Sequence, residues 1–435
     1  MSSPFSPELA VDAQGKLTID KNQAGLNALL SGSAQAAIDA RHAVRTLVVQ
    51  GVHHIPEDWP TLPNLQDLTI TIHKFPKLFP RTFRASALPA LQRLTLNCDL
   101  DWADSGKKVM CPVLEERFEQ LRSVVVKGLA MGVDAVSSML QPSLTSLHLS
   151  MVHCRDKGCE QVAQGLQQHA CPDLRYLYLG GNSIGAQGYK HLGRALQQGG
   201  CVNLAELHLI ENFEVIATGY DDVVRGLEGC PSLTHLDFRL NEISQEECQR
   251  LAQALQERVF PALTYLDLMG NRIGSEGCAA VAEALRAGCC PNLTYLDLTY
   301  NDIEPAGSVR LAEALEKGAC PSLSHLDLGM NEIGDEGCAA LVLGLRSCPR
   351  IKYLDLQRNN IETLPEALGE VLSLSILNIS DNGIEGAISP AFYDLILNLD
   401  EFCFDPSLDE DLIDYADEGM DALKNRVREL RSGAE

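Results

Sequence analysis

Apolar and polar positions along this chain follow two periods in turn. In residues 263–285, Leu266 and Leu268 alternate with Tyr265, Asp267 and Met269, the period-two pattern of a strand with one buried face. After Asn271, Ile273 points inward again. Cys278, Val281, Ala282 and Leu285 then fall at i, i+3, i+4 and i+7, one apolar stripe of a short helix. A Gly-Cys-Cys-Pro turn (288–291) ends it, because Pro cannot continue a helix. The same order recurs at 293–315 and 323–345, so the spacing is thirty residues. One unit is strand, bend, helix, turn.

A single unit cannot bury both its strand face and its helix stripe, whereas stacked units can. Strands stack at about 4.8 Å and helices at about 8–10 Å. The stack must therefore bend, with strands on the inner wall and helices outside. The predicted class is an α/β solenoid, a horseshoe with a parallel inner sheet. The pattern LxxLxLxxN at Leu263, Leu266, Leu268 and Asn271 resembles leucine-rich repeat proteins. The long strand-plus-helix unit is similar to the ribonuclease-inhibitor-like subclass, also seen in NOD-like receptors and in the GTPase-activating protein for Ran. That resemblance implies protein recognition rather than catalysis.

Four segments are expected. Residues 1–43 read as an N-terminal helical cap, with short helices at 24–30 and 34–43. Residues 44–143 hold irregular repeats whose strand cores are 44–49, 65–70, 91–96 and 121–126. Here His73 and Asp99 replace the Asn, and His53, His54, Pro56, Pro76, Pro80 and Pro89 point to irregular backs. Residues 144–382 hold regular repeats with an Asn column at 182, 212, 241, 271, 301, 331, 359 and 382. An Asn at a sharp bend can bond backbone groups that the bend leaves unpaired. One regular unit is edited: NFEVIATGYDD (212–222) sets its stripe (Tyr220, Val223, Val224, Leu227) one residue late and makes Phe213 a candidate exposed apolar residue. Residues 383–435 read as an acidic, amphipathic cap. Within it, 407–431 reads as one helix with a Ser407–Glu410 capping box and a stripe of Leu412, Ala416, Met420, Leu423, Val427 and Leu430.

Composition narrows the function classes. The formal net charge is −24, which argues against nucleic acid or an anionic membrane as partner, since both want basic patches. No apolar run approaches the roughly 18 residues of a membrane span, and the N-terminus lacks the charge and apolar core of a secretory signal. Ten of the fifteen Cys occupy two repeat columns: Cys171, Cys201, Cys230, Cys290, Cys320 and Cys348 before the strands, and Cys159, Cys248, Cys278 and Cys338 at the helix stripe. They read as packed free thiols in a reducing, cytoplasmic compartment, with the vicinal pair Cys289–Cys290 the most oxidation-prone. No pair has zinc spacing. No metal, cofactor, nucleophile or phosphate loop is expected, and no enzyme.

The outward strand positions carry the candidate site. Between the paired leucines stand His148, Tyr178, His208, Asp237, Asp267, Asp297, Asp327, Asp355 and Asn378. His148 and His208 lie two strands apart, about 10 Å, too far to share a metal. Beside the five Asp lie His235, Tyr265, Tyr295, His325 and Tyr353 on one side and Arg239 on the other. Carboxylates about 5 Å apart repel by roughly 3 kcal/mol at an effective dielectric of ~20, so the row has either a reason or good solvation. It is a spelling of the repeat, or a groove in which Tyr and Asp dock Arg or Lys. The leading expectation is a non-enzymatic scaffold whose concave face engages a basic protein surface or peptide. The alternatives are a GTPase-activating protein of the Ran-regulator type, and an intracellular sensor or a secreted bacterial effector acting in a host cell.

Overall fold

The computed structural model describes residues 11–20, 22–32, 35–52, 55, 59–73, 80–99, 109–212, 219–257, 260–385, 388–405, 408, 412 and 419–433. His53, His54, Pro56, Pro76, Phe213, Ser407, Glu410 and Ala416 lie outside these. The chain forms two compact units, residues 1–230 and 231–435.

In the first unit, eight strands pair in chain order, all parallel: Lys16–Asp20, Thr46–Gln50, Asp67–Ile72, Arg93–Cys98, Ser123–Lys127, Ser146–Ser150, Tyr176–Tyr178 and Glu206–His208. The helices at Gln23–Ser31 and Gln35–Ala43 stand where the sequence places them. The strand Lys16–Asp20 was not anticipated: Leu17 and Ile19 are buried against the next strand, so residues 1–43 contribute a coil of sheet as well as helices. The irregular backs include two short strands, Thr82–Arg84 and Val113–Glu115, paired in parallel. The later coils of this unit carry helices Val133–Met139, Arg155–Gln167 and Ala186–Gln197. In the edited unit the helix is short, Tyr220–Gly226 followed by a 3-10 turn Leu227–Gly229, with the shifted stripe buried.

In the second unit the parallel strands are His235–Asp237, Tyr265–Asp267, Tyr295–Asp297, His325–Asp327, Tyr353–Asp355, Ile376–Asn378 and Glu401–Cys403. Like residues align rung by rung: Leu266 on Leu296 on Leu326, and Asp267 on Asp297 on Asp327. Helices Gln245–Gln256, Gly274–Arg286, Glu304–Glu316 and Gly334–Leu345 form the backs. Gly277, Gly307 and Gly337, in the first turns of the last three, are there for close approach: a Cβ on Gly337 would sit 2.2 Å from Ser308 Oγ. Beyond Asn382 the sequence leads one to expect a cap with one helix over 407–431. The chain makes helix Pro390–Asn398, the further strand Glu401–Cys403, and a final helix Met420–Gly433. Gly419, at φ +92, stands just before this helix, so no single helix spans 407–431.

The Asn column bonds as a ladder in each unit. Asn271 Oδ1 accepts from Asn241 N (3.1 Å) and Ile243 N (3.0 Å), and its Nδ2 donates to Leu268 O (2.7 Å). Asn301, Asn331, Asn359 and Asn382 repeat this, and Asp405 closes the row by accepting from Asp381 N and Asn382 N. The second Cys column also bonds between coils: Cys159, Cys248 and Cys278 each donate a thiol to the carbonyl of a Gly one coil on, 3.3–3.6 Å away. Fourteen of the fifteen cysteines are buried, Cys403 being the exception, so the columns are packing positions.

Candidate binding face

The five Asp occupy the outward side of their strands, yet Asp237 and Asp267 are 0% exposed, Asp297 and Asp355 are also buried, and Asp327 alone is half-buried. Of the two alternatives, a reason for the row or good solvation, this burial removes the second. The reason is local. Each strand is three residues long, and just past it one amide points away from the core with no strand partner. The Asp takes that amide: Oδ1 of Asp237, Asp267, Asp297, Asp327 and Asp355 accepts from the N–H of Arg239, Met269, Thr299, Gly329 and Gln357 at 2.8–3.3 Å. Tyr265, Tyr295 and Tyr353 donate their phenols to Asp267, Asp297 and Asp355 on the same strand, at 2.9, 3.3 and 3.3 Å. Asn378 fills the position in the next coil with the same bond, from Ser380 N at 3.1 Å. The acceptor is therefore what the turn needs, and the charge is an addition.

That charge is only partly balanced. Arg239 places Nη2 3.0 Å from Asp237 and Nε 3.6 Å from Asp267. Asp297, Asp327 and Asp355 face no cation of their own among the described residues. Burial first, then the neighbouring carboxylates of Asp297 and Asp237, pushes Asp267 up to about 6. Burial and then Asp297 push Asp327 up to about 7. Burial likewise raises Asp297 and Asp355, against the bonds from Thr299 and Gln357 that lower them. Asp327 is the rung with the weakest support. Its strand carries His325, which bonds Ser324 instead, so Asp327 keeps the Thr299 hydroxyl (2.6 Å) and a long bond from Gly329 N.

Aromatic rings form the outer layer. His235, Tyr265, Tyr295, His325 and Tyr353 follow one another at centroid separations of 5.1, 4.2, 5.7 and 5.4 Å. Their faces are half covered by one another and their edges meet solvent, while His325 is exposed. In the first unit His148, Tyr178 and His208, at the strand position that the Asp hold in the second, stack at 4.8 and 4.2 Å. Tyr178 thus separates the two His, and its phenol bonds Glu206. Burial, then the nearby His208, lowers His148. Among the described residues, no group of three His, Cys, Asp or Glu is arranged to hold a metal, and no helix is long and apolar enough to cross a membrane.

The sequence reading missed the residues just before the Asn column in the second unit: Leu240, Gly270, Tyr300, Met330 and Arg358. Leu240 is 39% and Tyr300 58% exposed. Their signal was weak: Leu240, Tyr300 and Met330 are large apolar residues one step past the end of the strand alternation, but the position has no common spelling.

A layered α/β repeat with a laddered Asn and a paired Leu seam defines the leucine-rich repeat class. Models of the leucine-rich repeat match residues 229–246, 261–282, 289–312, 319–342, 350–371 and 373–395. Over these residues the chain carries leucine-rich repeats, like those of NOD-like receptors. It is 31% identical over 147 residues to protein NLRC5 of the fish Ictalurus punctatus, a match covering 34% of this chain and 8% of that relative's length. An internalin (inlF) of Listeria monocytogenes superposes with a TM-score of 0.53 at 17% identity, covering 88% of this chain and 95% of the other. A TLR13–ssRNA13 complex gives a TM-score of 0.49 at 18% identity, over 90% and 57%. The internalin likeness shows the fold alone. Leucine-rich repeats generally mediate protein–protein binding.

Proposed function

We propose that the chain is a non-enzymatic binding scaffold whose outward strand face in residues 231–435 engages a basic protein surface or peptide. One observation supports this above the rest: five carboxylates stand in register on adjacent strands with one guanidinium, Arg239, among them. A partner's Arg or Lys at Asp297–Asp327–Asp355 would relieve repulsion that the chain leaves standing, while Tyr295 and Tyr353 offer ring surface for cation–π contact. Arg239 is the chain's own example of a guanidinium on two rungs. The buried thiols suit a reducing compartment, so the partner is sought inside cells. A second reading is a sensor, on the likeness to NLRC5.

Asp→Asn tests the reading without removing the amide acceptor, as Asn378 demonstrates. Fluorescence anisotropy with labelled oligoarginine should show D297N/D327N/D355N binding at least about tenfold more weakly than wild type, with a shallower salt dependence. Equal affinity and equal salt slope in both proteins would refute it.

A further inference from the structure

Three of the turns that follow the strands of the second unit carry a large apolar side chain with no role in the core. Leu240, Tyr300 and Met330 have φ of 55, 55 and 58°, the left-handed region that suits Gly, which stands at the intervening position, Gly270. Tyr300 and Leu240 are exposed and Met330 half-buried. Leu240 lies across Gly270: a Cβ there would meet its Cδ2 at 2.5 Å. The result is an apolar side chain at this position in three of four successive coils, with Leu240 reaching over the fourth, Gly270. Two residues further along the same turns stand Glu242, Arg272, Asp302 and Glu332, all exposed, three acids to one base. Glu242 pairs with Arg272 at 3.3 Å; among the described residues Asp302 and Glu332 have no ion pair.

The backbone of this edge is already committed. Leu240 N, Gly270 N, Tyr300 N and Met330 N each donate to a carbonyl of the next coil at 2.8 Å. A partner strand therefore finds no free amides at these four positions, and recognition must pass through side chains. Coil spacing at the strands is about 4.8 Å. A helix advances about 5.4 Å per turn, close to one turn per coil, while same-face residues of a strand are about 6.8 Å apart. The charge beside the edge is negative.

We infer that this edge docks a basic amphipathic helix of a protein partner, its apolar residues seated on Leu240, Tyr300 and Met330 and its Lys or Arg residues beside Asp302 and Glu332. The inference deepens the proposed acidic-face function and rests on it. The probe is a synthetic Leu/Lys peptide with Leu at i, i+4, i+7 and i+11, compared with a scramble of equal composition and with oligoarginine. The variant is L240G/Y300G/M330G. Gly suits all three backbone conformations, so an unchanged or raised unfolding midpoint is expected and confirms the fold. The amphipathic peptide should bind wild type at least tenfold more tightly than the scramble, and the variant should lose that advantage while holding oligoarginine as wild type does. A scramble that binds as well, or a variant that keeps the preference, overturns the inference. Failure of the acidic-face reading itself shows separately, as oligoarginine binding that D297N/D327N/D355N leaves unchanged.

Discussion

Two residue types repeat through the second unit, and both finish a turn that backbone alone leaves incomplete. Asn271 holds four backbone groups with one amide. Asn271→Ala strands them in the interior, each at about 1–3 kcal/mol, so chemical denaturation should show a loss of at least about 3 kcal/mol. The Asp row carries a different signature. Asp327 has a folded-state value near 7 against about 3.9 for an unfolded Asp, so the fold binds its proton more tightly than the unfolded chain does. The stability this gives is full below about pH 4 and is lost as pH rises through about 7. Asp267, near 6, acts in the same direction. Urea midpoints should therefore fall between pH 5 and 8 by an amount that D327N reduces. A midpoint that rises over this window, or falls equally in D327N, would contradict the assignment. Sequence parity gave the correct side of the strand for Asp267 but not its depth. Depth is set by the neighbouring coils and by the Tyr265 phenol folding back on it, and neither is visible in one strand's alternation.

Elements were legible where hydrophobic period and turn chemistry agreed. The helix Gly274–Arg286 begins just after Ile273, and its buried face is Cys278, Val281, Ala282 and Leu285, as the spacing requires. Lys16–Asp20 and Glu401–Cys403 were not legible, because neither carries the LxxLxLxxN frame and each needs a formed neighbour to pair with. Of the stripe read for the final helix, Leu423 and Val427 are buried and Met420 and Leu430 half-buried, while Gly419 and its positive φ were overlooked as a reason for the helix to start at Met420. The cysteine columns belong to this scale as well. Titration of native protein with a thiol reagent should label Cys403 first and the other fourteen only on unfolding, since those fourteen are buried. Rapid native labelling of Cys278 or Cys338 would contradict the packing of the helices. The vicinal pair keeps its sulfurs 3.4 Å apart in the interior, so burial shields a site that the sequence marks as reactive.

At the scale of the molecule, a formal charge of −24 draws cationic partners from a distance, and screening beyond about 8 Å at physiological salt limits that pull to the last stage of approach. The leucine seam and Asn ladder were written in the sequence because they repeat; the binding edge was not, because Leu240, Tyr300 and Met330 differ from one another and are unified only by their place in the fold. The central claim is that basic partners settle on one face of residues 231–435. Hydrogen–deuterium exchange with and without saturating oligoarginine tests it most directly. The account predicts slowed exchange confined to the strands and following turns of residues 295–300, 325–330 and 353–358. Slowed exchange confined instead to the helices Gly274–Arg286 and Glu304–Glu316, or to residues 1–230, would contradict it.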